Sequence, residues 1–306
     1  MSQKIVFMGT PEFSVPTLES LSNSNHQILT VFSQPAAKAN RGQKKTPSPV
    51  EIFARENSLD LRTPNNLNNE EEYNYFKKLK PDIVIVVAYG KMIPKKYLSL
   101  AKHGFINIHA SLLPKWRGAA PIQRSIMNLD DETGISIMKI VENLDEGPVM
   151  HQDKIRISEN VDALTLSKVL SKIGAKSILD AINKIEKGEA KFKEQNHDQA
   201  TYAKKILKAE ALIKWDESAK KILAQINGLN PNPGAWFEYK KDRYKVWKAR
   251  LLDQKGEPGK TIDDQLTISC SDQALRILEI QKEGKSRQQT EQFLLGNKIS
   301  RGEKII

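Results

Sequence analysis

Through the first two-thirds of this chain, short apolar runs rich in β-branched residues alternate with longer stretches of helical periodicity, and that alternation admits few folds. The run "KIVFMG" is apolar after its lysine and stops at Gly9, as expected of a strand buried on both faces of a parallel sheet. "PTLESLSNS" starts on proline and reads as a helix, and "HQILTVFSQ" reads as a second strand. "SPVEIFARENS" opens on a Ser-Pro helix start, "NEEEYNYFKKLK" is a further amphipathic helix, and "PDIVIVVAYG" is a third, most buried strand. "GFINIHAS", "GISIMKIV" and "DKIRIS" supply later strands. The order predicts a Rossmann-like α/β domain on an open, mostly parallel sheet, whose ligands bind beyond the carboxyl ends of the strands.

The texture changes after a long helical pattern at 162–190 that carries lysines on its wet face. "QNHDQATYAKKI" is polar and aperiodic and reads as a linker. From Ile213 the chain holds one short helix, "WDESAKKILAQINGL", a turn-rich "NPNPGAW", and then alternating runs: "WFEY", "RYKVWKARLL", "DDQLTISCSD" and "ALRILEIQ". Short strands at turn-bounded spacing with almost no helix predict a small OB-like β-barrel. The expected organisation is an α/β domain at 1–190, a linker at 191–206 and a β domain at 207–306.

A chain of 306 residues has ample length for two hydrophobic cores. Its one cysteine, Cys270, rules out a disulfide framework or a CxxC pair within the chain and suits a reducing compartment. The opening "MSQKIVFMG" reads as a first strand and not as a signal peptide, and no apolar run approaches the roughly 20 residues that span a bilayer. The expectation is a soluble, cytoplasmic protein with no membrane partner. With 48 Lys and Arg against 37 Asp and Glu, the chain carries a formal charge of +11, which favours an anionic partner without identifying one. Residues 206–306 hold 19 basic against 14 acidic residues and the 205 before them 29 against 23, so the β domain is the more basic per residue.

The fourth strand ends in unusual company, "INIHASLLPKWRGAAP". Strand alternation puts Asn107 and His109 on one face at the ligand-binding end of the sheet. An amide there can donate to a carbonyl oxygen as charge builds on it, and an imidazole can move protons near neutral pH. Taken alone, an Asn-x-His pair is more often a cap and a ring satisfied by backbone. Asp145, before a glycine in "ENLDEGPVM", lies on a turn that can reach His109 if the strands are neighbours, although Asp-x-Gly is also ordinary turn chemistry. Arg117 is a candidate anion clamp, Trp116 a packing residue, and Ser111 to Pro114 a tight turn facing the same edge. There is no cluster of metal-ligating residue types.

Together these residues resemble the 10-formyltetrahydrofolate-dependent formyltransferases, and within them the methionyl-tRNA formyltransferase family. The resemblance runs through "IVFMGTPEFSVPTLESL", "RGQKKTPSPV", "VVAYGKMIP", "NIHASLLPKWRGAAPIQRSI", "LDEGPV" and "PNPGAWFEYKKDRYKVWKA", and so covers nearly the whole chain. It implies formyl transfer from the folate to methionine on initiator tRNA, with Asn107, His109 and Asp145 catalytic and no metal. It places the folate against Ser111, Leu112, Leu113 and Pro114 and against the backbone of Val87, Ala88 and Tyr89. It implies a monomer whose partners are initiator methionyl-tRNA and the folate co-substrate. Three departures stand out: Glu146 where several members have threonine after the aspartate, Lys115 where arginine is frequent, and an irregular first half of the loop "QPAAKANRGQKK".

Two segments suit RNA. Arg41, Lys44 and Lys45 lie on a glycine-containing loop without apolar residues, which the resemblance implies enters the acceptor end of the tRNA through Arg41. Lys240, Lys241, Arg243, Lys245 and Lys248 interleave with Tyr239, Tyr244 and Trp247, a pattern that can track phosphates and stack on bases. The alternative is a hairpin with a wet lysine face, on which Lys245, Trp247 and Ala249 share a side and Trp247 is core. Other activities stay open on the residues alone: formyl transfer to a small amine, or RNA binding on a Rossmann-like scaffold without chemistry. A nicotinamide enzyme is disfavoured, because "MGTPEF" has one glycine where a dinucleotide fingerprint has three.

Overall fold

The structure, a computed structural model, describes residues 2–39 and 44–306. It divides into two compact units: Met1–Gly118 with Thr133–Ile155 and Ser167–Tyr202, and Ala119–Glu132 with Arg156–Leu166 and Ala203–Ile306. No helix among the described residues is long and apolar enough to cross a membrane.

The strands up to residue 156 are β1 (Lys4–Gly9), β2 (Gln27–Phe32), β3 (Ala37–Ala39), β4 (Lys44–Thr46), β5 (Leu61–Arg62), β6 (Ile83–Val87), β7 (Phe105–His109), β8 (Arg117–Gly118), β9 (Glu132–Lys139) and β10 (Val149–Arg156). Seven of them form one sheet in the order β10-β9-β7-β6-β1-β2-β5. β1 is parallel to β2 and β6, β6 to β7, and β2 to β5. Only the far end reverses, where β9 runs antiparallel to β7. The central strands are buried on both faces, and so "IVFMG" and "IVIVV" show no alternation. Connecting helices α1 (Val15–Ser22), α2 (Pro49–Glu56) and α3 (Glu70–Leu79) have local stops and starts. The Ser48 hydroxyl accepts the Glu51 amide with Pro49 in the first turn, and the Asn69 side chain accepts the Glu71 amide. Phe76 packs between Tyr97 and Phe105 in the core that includes Val84 and Met8. The chain moves from β1 to β2 on one side and then to β6 on the other, so the switch point lies beside the carboxyl ends of β1 and β6.

α4 (Pro121–Met127) belongs to the second unit, α5 (Ala163–Glu186) from Ser167 onward to the first, and β11 (Tyr202–Ala203) marks the passage between them along the chain. The remaining elements are α6 (Ala219–Gly228), β12 (Trp236–Tyr239), β13 (Asp242–Leu252), β14 (Thr267–Ser269), β15 (Ala274–Lys282), β16 (Gln288–Gln289) and α7 (Thr290–Gly296). β12, β13, β15 and β14 pair antiparallel in that order, with β16 on β15. The last residues close the circuit. Lys260 bridges Lys304, Thr261 bridges Ile268 beside β14, and Glu238 of β12 exchanges both backbone hydrogen bonds with Ile306. Closure removes the exposed edges that an open five-stranded sheet would present. Inside lie Trp215, Phe237, Tyr244, Ile268, Leu275 and Phe293, with Ile222, Leu223 and Ile226 of α6 against them. The Cys270 thiol is buried there, and burial pushes its pKa up to about 12.

Two features depart from the expected pattern. α7 is a helix in a segment read as almost wholly β. And the register of β13 on β15 slips at Trp247, so that Val246 and Trp247 are both buried in succession. That bulge reverses the alternation: Tyr244 and Val246 point inward before it, and Ala249 after it. Ala249 therefore leaves the face that Lys245 and Trp247 share: the Lys245 ammonium lies 5.5 Å from the centre of the Trp247 ring, and Trp247, buried but outside the barrel core rather than in it as expected, donates from Nε1 to Gln281 at 3.0 Å.

Candidate active site

Asn107 and His109 stand two apart on β7, opposite Met138 and Ser136 of β9 and next to Val86 of β6. His109 is 6% exposed at the carboxyl end of its strand. Its Nε2 lies 2.9 Å from the Trp116 carbonyl oxygen and its Nδ1 3.7 Å from Asp145 Oδ2. Both nitrogens thus face oxygen acceptors, and the ring can donate from both only as the imidazolium. Asn107 is half-buried, and its side-chain amide makes no hydrogen bond with the described residues, which leaves it free to meet a substrate oxygen.

Asp145 reaches this ring because β9 neighbours β7 and the connection from β9 to β10 carries the turn. Its φ of 53° is in the left-handed region, and its Oδ2 accepts the Gly118 amide at 2.8 Å. Trp116 is likewise left-handed, at φ 62°; its amide donates to Thr201 Oγ1 at 2.8 Å and the Arg117 amide to the Thr201 carbonyl at 2.9 Å. The segment 116–118 therefore holds His109 by a carbonyl and Asp145 by an amide. Thr201 had no signal in the sequence beyond a polar stretch.

The Ser111–Pro114 turn is built from inside. Ser136 Oγ donates to the Ser111 carbonyl at 2.7 Å and accepts the Leu113 amide at 3.0 Å. Gln152 Nε2 donates to the Leu113 carbonyl at 2.9 Å and to Ser136 Oγ at 2.8 Å. Ser111 and Leu113 are buried, while Leu112 and Pro114 are partly open. The turn's own polar groups are largely spent on Ser136 and Gln152, two residues the sequence did not single out. At the end of β6, Val87 and Tyr89 are buried and Ala88 is exposed at φ 45°. The Val87 carbonyl accepts from Ser14 Oγ, and the Tyr89 carbonyl accepts from Thr10 Oγ1 and Gln34 Nε2. The Tyr89 ring packs with Tyr97 in the core, where burial holds its hydroxyl far above the usual tyrosine range.

Arg117 is not an open anion clamp. It is 1% exposed, ion-paired to Glu146 at 3.1 Å, and donates to Gln195 Oε1 from Nε and Nη2 at 3.1 and 2.9 Å. A guanidinium with those partners has no face left for a ligand.

Of the residues expected at RNA, Arg41 and the side chain of Lys44 lie outside the described residues, and Lys45 on β4 is exposed. In the second unit Lys240 and Lys241 form the two-residue turn between β12 and β13, at φ 50° and 67°, the backbone that a type I′ hairpin turn demands. Lys240 approaches Glu303 at 3.7 Å. Arg243 stacks 4.0 Å over Trp236, and Lys245 donates to the Pro233 carbonyl at 2.7 Å. Lys241 and Lys248 are exposed and make no ion pair among the described residues.

Comparison with known proteins converges on one family. The formyl transferase family pattern matches residues 3–182, and the formyl transferase C-terminal domain pattern matches 205–298. A methionyl-tRNA formyltransferase from Pelagibacter ubique is 52% identical over 100% of this chain and 99% of its own, and one from Chelativorans sp. is 43% identical over 100% of both. An N-formyltransferase from Helicobacter canadensis, solved with folinic acid and dTDP-3-aminofucose, superposes at a TM-score of 0.69 over 90% of this chain and 99% of its own; at 19% identity it speaks for the fold alone. With two family patterns in sequence along the chain and full-length relatives above 40% identity, the chain belongs to the methionyl-tRNA formyltransferase family.

Proposed function

We infer that this chain transfers the formyl group of 10-formyltetrahydrofolate to the α-amino group of methionine carried on initiator tRNA. The amine nitrogen forms the new C–N bond, the bond from the formyl carbon to the folate N10 breaks, and the proton lost by the amine ends on N10. Charged tRNA as acceptor puts the reaction in the cytoplasm, at the start of translation.

The observation that carries the reading is the convergence at the end of β7: an amide without a hydrogen-bond partner among the described residues, a ring facing two oxygens, and a carboxylate beside it. In this reading Asn107 donates to the oxygen that becomes negative as the amine attacks. His109, with Nε2 already donating to Trp116, contributes the positive charge of its imidazolium next to that oxygen. Asp145 faces the ring's Nδ1 and orients it, and its second oxygen, which has no hydrogen bond to the described residues, takes the proton from the amine on its way to N10. The turn at 111–114 and the exposed backbone at Ala88, on the switch-point side of the sheet, are where the folate fits. The loop with Arg41, Lys44 and Lys45, within the catalytic domain at 1–190, and the hairpin with Lys240, Lys241, Arg243, Lys245 and Lys248, within the tRNA-binding domain at 207–306, serve the tRNA.

The test offers the purified protein 10-formyltetrahydrofolate with methionyl initiator tRNA, free methionine or a small ribonucleotide amine. Product with the charged tRNA alone is expected, and product with the small amine instead would replace this reading by the sister activity. A second expectation concerns charge. Lys241→Glu with Lys248→Glu should weaken tRNA binding and flatten the log–log salt slope by about 0.9 for each phosphate no longer neutralised. An unchanged slope would leave that face merely solvated.

A further inference from the structure

The partners of Arg117 converge on Asp145. A buried guanidinium needs its donors met, and here they go to Gln195 Oε1, to Glu146 Oε1, and toward His197 Nδ1 at 3.4 Å from both terminal nitrogens. With its oxygen spent on Arg117, Gln195 aims Nε2 at two backbone carbonyls, Asp145 at 2.8 Å and Gly147 at 2.7 Å. Those carbonyls flank Glu146, whose own carboxylate returns to Arg117. The loop closes on itself around Asp145, whose left-handed φ of 53° is uncommon outside glycine but is tolerated by aspartate better than by most residues. Its separation of 3.7 Å from His109 Nδ1 is longer than a hydrogen bond, so the pair does not set its own geometry.

We propose that Arg117 and Gln195 are positioning residues for Asp145: the guanidinium fixes the Gln195 amide, and the amide fixes the 145–147 turn so that the carboxylate stays on the Gly118 amide and opposite His109. The inference rests on the reading of His109 and Asp145 as catalytic. It also gives residues 195–201 a part in the site, since Gln195 and Thr201 brace the two strands of backbone that carry Asp145 and Trp116. And it gives Glu146 a task that threonine at this position could not perform, neutralising a buried arginine.

The experiment measures kcat and both KM values for the full chain carrying Gln195→Met, with thermal unfolding as the check on folding. The expected result is a kcat lower by about 10- to 100-fold, with KM for folate and for tRNA within about twofold. In an Asp145→Asn background, single-turnover rates should fall no further on adding Gln195→Met, because the carboxylate it positions is gone. Gln195→Glu is the second variant. It keeps the acceptor for Arg117, and therefore the fold, but turns a carboxylate oxygen toward the two carbonyls, and should lose kcat to a similar extent. Wild-type kcat in either folded variant, or the full loss repeated on top of Asp145→Asn, overturns the proposal. Wild-type turnover by Asp145→Asn itself would overturn the underlying reading instead, so the two failures are distinct.

Discussion

His109→Ala should lower turnover by about 10²- to 10⁴-fold while leaving tRNA affinity within about twofold. The ring is buried at the end of β7, within the sheet unit, and its contacts are a carbonyl and a carboxylate of the same unit. Neither contact is one of the basic residues proposed to meet tRNA, so truncation should act on the chemical step and little else. The structural cost is the lost hydrogen bond to the partly buried Trp116 carbonyl, about 0.5–1.5 kcal/mol. A thermal melt therefore accompanies the assay, and single-turnover rates at saturating tRNA separate chemistry from binding. A large loss of tRNA affinity with unchanged single-turnover rate would remove His109 from the catalytic group. Unchanged turnover would reduce the Asn-x-His pair to a strand end.

Much of the frame was legible because it follows from periodicity. "IVFMG" and "IVIVV" are apolar without alternation, and only a strand covered on both faces asks for that, so the parallel core could be read directly. The placement of Asn107 and His109 on one strand end was legible for the same reason, since a two-residue spacing has one geometry in a strand. What escaped was whatever depends on contacts distant in the chain. Gln195 sits in a polar stretch that reads as linker, yet it is buried 50 residues beyond Asp145 and bonded to it; no local pattern marks a glutamine whose partners are two far carbonyls and an arginine. The burial of Arg117 is hidden for the same cause. An arginine beside prolines and glycines reads as exposed until its carboxylate partner is found 29 residues away. The bulge at Trp247 escaped because one extra residue in a strand leaves the composition unchanged and alters only which side faces in.

Gly147→Ala should be the most disruptive single methyl addition near the site. A Cβ on Gly147 would lie 1.9 Å from the Lys139 carbonyl oxygen and 3.0 Å from its carbon, which are backbone atoms of β9 and cannot swing aside as a side-chain tip would. The glycine is needed here for space, since its φ is not in the left-handed region. Relief requires the 145–148 turn to move off β9, which strains the Lys139 amide bond to the Pro148 carbonyl and the Gln195 bond to the Gly147 carbonyl together. Overpacking of this kind costs about 1–3 kcal/mol, and the stretched hydrogen bonds add to it, so a loss of roughly 2–4 kcal/mol is expected in chemical denaturation. Gly296→Ala is the matched control, because a Cβ there meets nothing within 4 Å and the residue ends α7; it should change stability by less than about 1 kcal/mol. Because the displaced turn begins at Asp145, the Gly147 variant should also lose kcat in the fraction that remains folded, whereas the control should keep it. A Gly147→Ala protein as stable and as active as the parent would mean that β9 and this turn are not packed backbone on backbone, and the geometry that brings Asp145 to His109 would then need another support.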